Sequence, residues 1–314
     1  MCVIRFLLRR ISTIILSLFF VITITFFLMK AIPGGPFTTD KKLPVAIQQN
    51  IEEKYHLNDP LWKQYTDYLN STIHGDLGPS FKYEDRTVKS IIAESFPVSA
   101  ALGGGAVFIS LFFGLLAGII SALKQNKWQD YTAMILSTVG FSVPNFIIAG
   151  LLMYVFALKL RWFPAAMWGT PEQMVLPTIA LSLLPMASIA RLMRSSMVEV
   201  LGQDYIKTAK AKGLNQRVVI YRHAMRNAIL PVVTYLGPLV AAILTGSFII
   251  EFIFAIPGLG RWFVTSISNR DYTVIIGTTI FYSVLLMIMN LIVDIAYAFI
   301  DPRIKVSGGK GGGD

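Results

Sequence analysis

Six long uncharged stretches limit what this chain can fold into more than any other feature. Ile11–Met29 holds 19 residues between Arg10 and Lys30; Phe96–Leu123 and Tyr131–Leu158 hold 28 each; Gln173–Ala190 holds 18, Asn227–Ile250 holds 24 and Tyr272–Val293 holds 22. A helix rising 1.5 Å per residue needs about 20 apolar residues to cross a bilayer. Composition agrees: over 314 residues, 54% are hydrophobic and 15% charged, and the mean hydropathy is +0.60, whereas soluble domains carry about 25% charged residues. Only helices or closed barrels satisfy backbone polar groups in lipid, and the blocks lack the period-two alternation of barrel strands. The chain therefore reads as an all-α polytopic membrane protein with six transmembrane helices.

The first block is too long for a signal-peptide core and lacks a small-residue cleavage site, so it reads as an uncleaved anchor. In the third, Ser142 and Asn145 flank Pro144 and mark a kink; Pro177 and Pro185 mark another in the fourth. Gly114 and Gly118 form a G-x-x-x-G in the second, better suited to ordinary close packing than to a dedicated dimer face. The single cysteine, Cys2, excludes an intrachain disulfide and a multi-cysteine metal site. His56, His74 and His223 lie far apart, without an H-E-x-x-H pattern.

Six spans place both ends on one side. That side, with the N-terminus, the 124–130 loop, the 191–226 loop and the tail after Ile300, carries 16 Lys/Arg and five acids; the other carries 12 of each. The basic side is cytoplasmic. The net charge of +10 is thus a topology signal that needs no nucleic acid to explain it, although anionic lipid attracts it.

Boundaries follow. Residues 1–30 are the N-terminal tail and first span, 31–95 an external cap, 96–300 a five-helix core containing the cytoplasmic 191–227 loop, and 301–314 a cytoplasmic tail. Within the cap, Val45–Tyr55 and Pro60–Ile73 have helical spacing, with Leu61, Tyr65, Tyr68 and Leu69 on one face. It covers helix ends or docks an external partner.

The 191–227 loop carries eight Lys/Arg against two acids. Asp204 can cap a short helix through Tyr205, Thr208, Ala209, Lys210, Ala211 and Lys212. Gly213 suits the left-handed residue that ends it, before Leu214. Asn215 can cap a second helix from Gln216 to about Ile229, where Val218, Tyr221, Met225 and Ile229 form an apolar stripe beside Arg217, Arg222 and Arg226. Such an elbow could bind DNA, but its tether between two spans makes groove insertion awkward. It could lie passively on anionic lipid. It could also seat in a groove on a cytoplasmic partner and transmit force to the spans, which suits a compact glycine turn bracketed by membrane helices.

The stretch Ala209–Gly213, followed by His223–Pro231, resembles the EAA loop of ABC importer permeases, and more narrowly the B-type subunit of the oligopeptide/dipeptide uptake family. Met29–Pro36, Gly78–Phe81, Phe141–Phe146, Tyr205–Gly213, Ile256–Gly260 and Asp301–Ile304 extend the resemblance over nearly the whole chain. The family pattern E-A-A-x3-G-x9-I-x-L-P keeps Ala209 and Gly213; Lys207 and Thr208 replace the Glu and first Ala, and His223, Met225 and Arg226 stand at its I, L and P positions.

The resemblance implies a type I ABC importer permease fold with cytoplasmic coupling helices, in a bacterial cytoplasmic membrane with both termini inside. It implies a pore shared with a C-type permease, two cytoplasmic ATPases that use ATP and Mg, and an external binding protein that delivers oligopeptides or dipeptides. Related systems carry nickel, glutathione or haem. The chain has no G-x-x-x-x-G-K-[ST] loop, so it needs no cofactor of its own and is not the enzyme of the assembly. ATPase coupling falls to Tyr205, Thr208, Ala209, Lys210, Ala211, Lys212, Gly213, Leu214, Arg217, His223 and Arg226. Ser142, Asn145 and Asp294 are pathway candidates; Asp294 is the one acid between apolar stretches, although a structural partner near the cytosolic edge suits it better. Pro257, Gly258, Gly260, Arg261 and Trp262 form either an external gate facing the binding protein or an ordinary loop with an interfacial Trp. A secondary transporter or channel would need internal repeats and paired intramembrane charges, which the sequence lacks.

Overall fold

A computed structural model describes residues 2–31 and 58–300. The predicted Val45–Tyr55 helix and the 301–314 tail lie outside the described residues. Among those described, every long element is a helix and no strand forms. Five helices are long and apolar enough to cross a membrane, and a bent helix pair makes a sixth candidate.

The chain divides into two compact units, one of residues 1–97 and 258–314, the other of 98–257. The first contains α1 (Cys2–Ala31), α2 (Leu61–Ile73), α11 (Leu259–Asn269) and α12 (Tyr272–Ile300). Large apolar side chains such as Ile15, Phe19, Ile24 and Phe27 on α1 stay exposed, as a lipid-facing helix requires. Its inner face packs Ile22 and Phe26 against Ile276 and Ile280 of α12. Tyr65, Tyr68 and Leu69 of α2 join this cluster, and Tyr68 stacks on Phe26 with ring centroids 5.9 Å apart. Burial pushes the Tyr68 phenol up to about 12. The predicted apolar face of α2 is therefore present, except that Leu61 is exposed because it begins the helix. Here α2 covers the end of α1, with Lys30 Nζ donating to Gln64 Oε1 at 2.5 Å.

Asp271 organises the loops of the same unit. Fully buried just ahead of α12, it accepts hydrogen bonds from Ser80 Oγ, from Phe81 N at 3.1 Å and from Thr273 Oγ1 at 3.0 Å. The Gly78–Phe81 stretch is thus pinned by an acid 190 residues away in sequence.

The second unit is built around α6 (Pro171–Leu201), with α4 (Trp128–Ser142), α5 (Asn145–Leu152, prolonged by a π-helical turn Met153–Lys159), α9 (Leu230–Gly246) and α10 (Phe248–Ile253). The helix α3 (Val88–Leu123) passes Pro97, where the division falls. A capping box of Thr170 and Gln173 starts α6, with Pro171 at its first turn. The helix then runs unbroken through Pro177 and Pro185. It also continues beyond Ala190, where counting uncharged residues ended the fourth span. A helix continues through charged residues whose side chains find partners, and here Arg194 pairs with Asp130 and Arg191 lies over the Phe141 ring, so both belong to α6 and not to a loop. Gly114 and Gly118 let α3 press on it: a Cβ at Gly118 would stand 2.7 Å from the Ala190 carbonyl oxygen, and one at Gly114 2.9 Å from Ile189. The G-x-x-x-G is intrachain packing.

The third predicted span differs most. It is not one kinked helix but two, α4 and α5, bent by 105°. Pro144 lacks an N–H, and Val143 before it is extended at φ −90°, ψ 123°, the conformation a following proline favours.

Candidate functional site: a basic elbow on α6

Beyond Leu201 the chain leaves α6 and folds at once into α7 (Asp204–Ala211). Gln203, extended at φ −70°, ψ 150°, is the N-cap; Asp204 is the first helical residue and pairs with Lys207 at 2.9 Å. The expected capping by Asp204 is therefore displaced by one position, and its carboxylate acts as a first-turn acid favoured by the helix dipole. Gly213 follows in the left-handed region at φ +78°, where a Cβ is strained. Among the described residues nothing beyond its chain neighbours lies within 4 Å of a Cβ built there, so the backbone demands the glycine, not crowding. Asn215 caps the next helix, accepting from Arg217 N at 3.0 Å. That helix, α8, comprises Gln216–Val218, a π-helical turn Val219–Ala224, and Met225–Ala228.

The elbow is held from within. Ile206 and Ala209 on α7, and Val219, Ile220, Ala224 and Ala228 on α8, are buried in one core with Met193 and Met197 of α6. Asn227 Nδ2 donates to Tyr205 Oη at 2.8 Å, tying α8 to α7. Of the anticipated stripe of Val218, Tyr221, Met225 and Ile229, Met225 and Ile229 pack half-buried against this core, while Val219 and Ile220 take the inward places of Val218 and Tyr221. The π-helical turn alters the rotation per residue, which leaves Tyr221 68% exposed and Val218 39%.

Of the residues proposed for coupling, Tyr205, Thr208, Lys210, Ala211, Lys212, Gly213, Leu214, Arg217 and Arg226 are exposed, His223 is half-buried, and Ala209 is turned into the core. Their surface joins cations to Tyr205, Leu214, Val218 and Tyr221. That chemistry fits a groove on a soluble protein, aromatic and aliphatic side chains supplying contact area and Lys/Arg supplying orientation.

Force on the elbow has a path into the spans. α7 follows α6 without a flexible linker, and α6 is clamped to α4 at the same end. Arg194 grips Asp130 through both nitrogens, Nε–Oδ1 at 2.5 Å and Nη2–Oδ2 at 2.7 Å. Asp130, buried, also accepts from Ser121 Oγ and from Asn126 N at 3.0 Å. Bidentate, charge-assisted bonds of this kind resist sliding. In the sequence Asp130 is only a loop acid; its partner is 64 residues away, beyond any local pattern.

The pathway candidates Ser142 and Asn145 bracket the α4–α5 break, and Asn145 Oδ1 is buried without a hydrogen-bond partner among the described residues. Asp294 falls within α12, but its side chain lies outside the described residues. On the opposite side of the sequence-derived topology, Gly258 caps α11 and Gly260 is buried. Arg261 is exposed, Pro257 ends the other unit, and Trp262 meets the ring of Tyr83 edge-on at 5.0 Å. An apolar cavity of about 930 Å³ between α3, α4, α5 and α6 is lined by Phe113, Leu116, Leu136 and Met186 among others, and offers little to a polar solute. Among the described residues no group of His, Cys, Asp or Glu could hold a metal ion.

Comparison with known proteins agrees with this architecture. A family profile described as "Binding-protein-dependent transport system inner membrane component" matches residues 114–306, and its N-terminal companion matches 3–103. The chain is 54% identical to the dipeptide transport system permease protein DppB of Bacillus subtilis (strain 168) over 302 residues, 96% of this chain and 98% of that one. It is 49% identical to the oligopeptide transport system permease protein OppB of Escherichia coli (strain K12) over 303 residues, 96% and 99%. In fold it resembles the inward-facing MetNI methionine ABC transporter (TM-score 0.57, 14% identity, 68% of this chain and 97% of that one). It also resembles an amino acid ABC transporter crystallised with histidines (TM-score 0.54, 17%, 67% and 94%). The elbow and its clamp are thus carried on a type I ABC importer permease fold, and the chain belongs to the family of binding-protein-dependent transport system inner membrane components.

Proposed function

We propose that this chain is one of two permease subunits of an ATP-driven importer that takes up oligopeptides or dipeptides. The observation that carries the reading is the elbow: a basic and aromatic surface, rigidly seated on α6, projecting from the end where positive charge accumulates. A C-type permease completes the passage, and two ATPases dock on the cytoplasmic elbows and use ATP and Mg. An external binding protein delivers the peptide, and both termini of this chain are cytoplasmic. Closure of the ATPases moves α7 and α8; the Arg194–Asp130 clamp carries that movement into α4; the passage turns from outward to inward. The chain has no P-loop of its own, so hydrolysis belongs to the partners.

Reconstitution of the co-purified complex into liposomes tests this. Labelled di- to pentapeptides accumulate only with ATP and binding protein present. Uptake without nucleotide indicates a channel or secondary transporter instead, and uptake of nickel, glutathione or haem but no peptide reassigns the cargo.

A further inference from the structure

Arg191 has no part in the coupling just described, and it is the residue whose position is hardest to explain structurally. It lies on the face of α6 toward α4, one turn further from the elbow than Arg194. Its guanidinium carbon sits 4.3 Å from the ring centroid of Phe141. Phe141 is about 16 Å along α4 from the Asp130 clamp, at 1.5 Å per residue. Both residues, Arg191 and Phe141, lie in candidate spanning helices, and the cation sits directly before the α4–α5 break. The ring face attracts it but accepts no ordinary hydrogen bond. Nη2 is buried and has no hydrogen-bond partner among the described residues, and neither has Asn145 Oδ1 across the break. An N–H of a permanent cation left unsatisfied within a membrane is costly, and lipid tails cannot relieve it. A visiting acceptor can.

We infer that Arg191 is a substrate-binding residue of the passage, which takes the C-terminal carboxylate of the peptide in transit. The inference rests on the peptide reading above. Peptides of any sequence share only a backbone and two termini, and the carboxylate is the one negative charge that all of them bring. A guanidinium fork matches it in shape. Phe141, 54% exposed, holds the fork without neutralising it, and helix breaks are where membrane transporters expose groups to polar cargo.

The test uses the purified complex in detergent, without binding protein or nucleotide, and measures binding of a fluorescent tripeptide and of its C-terminal amide. Wild type is expected to prefer the acid by roughly tenfold or more, the scale of one charge-assisted bond. Arg191→Gln is expected to abolish that preference by weakening binding of the acid to the level of the amide. Arg191→Lys keeps the charge but not the fork and retains a reduced preference; it carries the comparison if the Gln variant does not assemble. Equal binding of acid and amide by wild type, or an undiminished preference in Arg191→Gln, overturns the assignment. So does a Lys complex that assembles with no preference, which would make Arg191 a partner of an acid on the second permease. Should the wild-type complex bind neither probe and import no peptide in liposomes, the peptide reading itself fails; import with no acid preference defeats only the role of Arg191.

Discussion

At Gly213 and Gly118 the absence of a side chain matters for different reasons, and the two make different predictions. Gly213 adopts φ +78° with open space around it. Gly213→Val strains the backbone by about 1–2 kcal/mol and is expected to leave membrane insertion intact while cutting ATP-dependent uptake at least tenfold. Gly213→Asn tolerates the left-handed region and should transport nearly normally; equal loss in both variants would mean that the conformation is not what counts. Gly118 is ordinary helix with the Ala190 carbonyl close by. Gly118→Leu should lower the thermal midpoint of the purified complex, at a cost of about 1–3 kcal/mol from overpacking, and an unchanged midpoint would deny that α3 presses on α6. A glycine between two cappable helices announces its turn locally, so Gly213 was legible in the sequence. The environments of Asp130 and Arg191 were not: each depends on a residue of another helix, and a lone charge beside an apolar block reads as the end of a span.

Helices α7 and α8 show how far periodicity carries and where it stops. Their existence, their glycine turn and the Asn215 cap all follow from local chemistry. The buried face of α8 does not, because the π-helical turn Val219–Ala224 moves the inward positions to Val219, Ile220, Ala224 and Ala228. The α4–α5 break was legible as a proline but not as a 105° bend, since the angle is set by what α5 packs on. Between elements, the Asp130–Arg194 pair makes the sharpest energetic prediction. Asp130→Ala leaves a partly buried guanidinium without its carboxylate and should cost about 3–5 kcal/mol, seen as loss of monodisperse complex on heating. Arg194→Met alone strands the acid. The double variant should recover much of the loss, because an apolar pair needs no partner; strictly additive losses would show that the two residues do not act as one clamp.

At the scale of the whole molecule, the elbow is expected to be a contact surface for a separate ATP-hydrolysing protein, and the membrane helices to move because it moves. The exposed side chains Tyr205, Leu214 and Tyr221 among Lys210, Lys212 and Arg217 are otherwise an unexplained apolar patch in a basic field. A direct measurement is site-specific cross-linking of the reconstituted complex. The native Cys2 is replaced by Ser, and Leu214→Cys is joined by a short bifunctional reagent to cysteines placed around the candidate groove of the ATPase subunit. The expected result is an ATPase-linked product whose yield changes with nucleotide, and loss of uptake once the link forms. A Cys at Leu214 that reacts only with lipid-borne reagent, or a cross-linked complex that transports at the full rate, would contradict it.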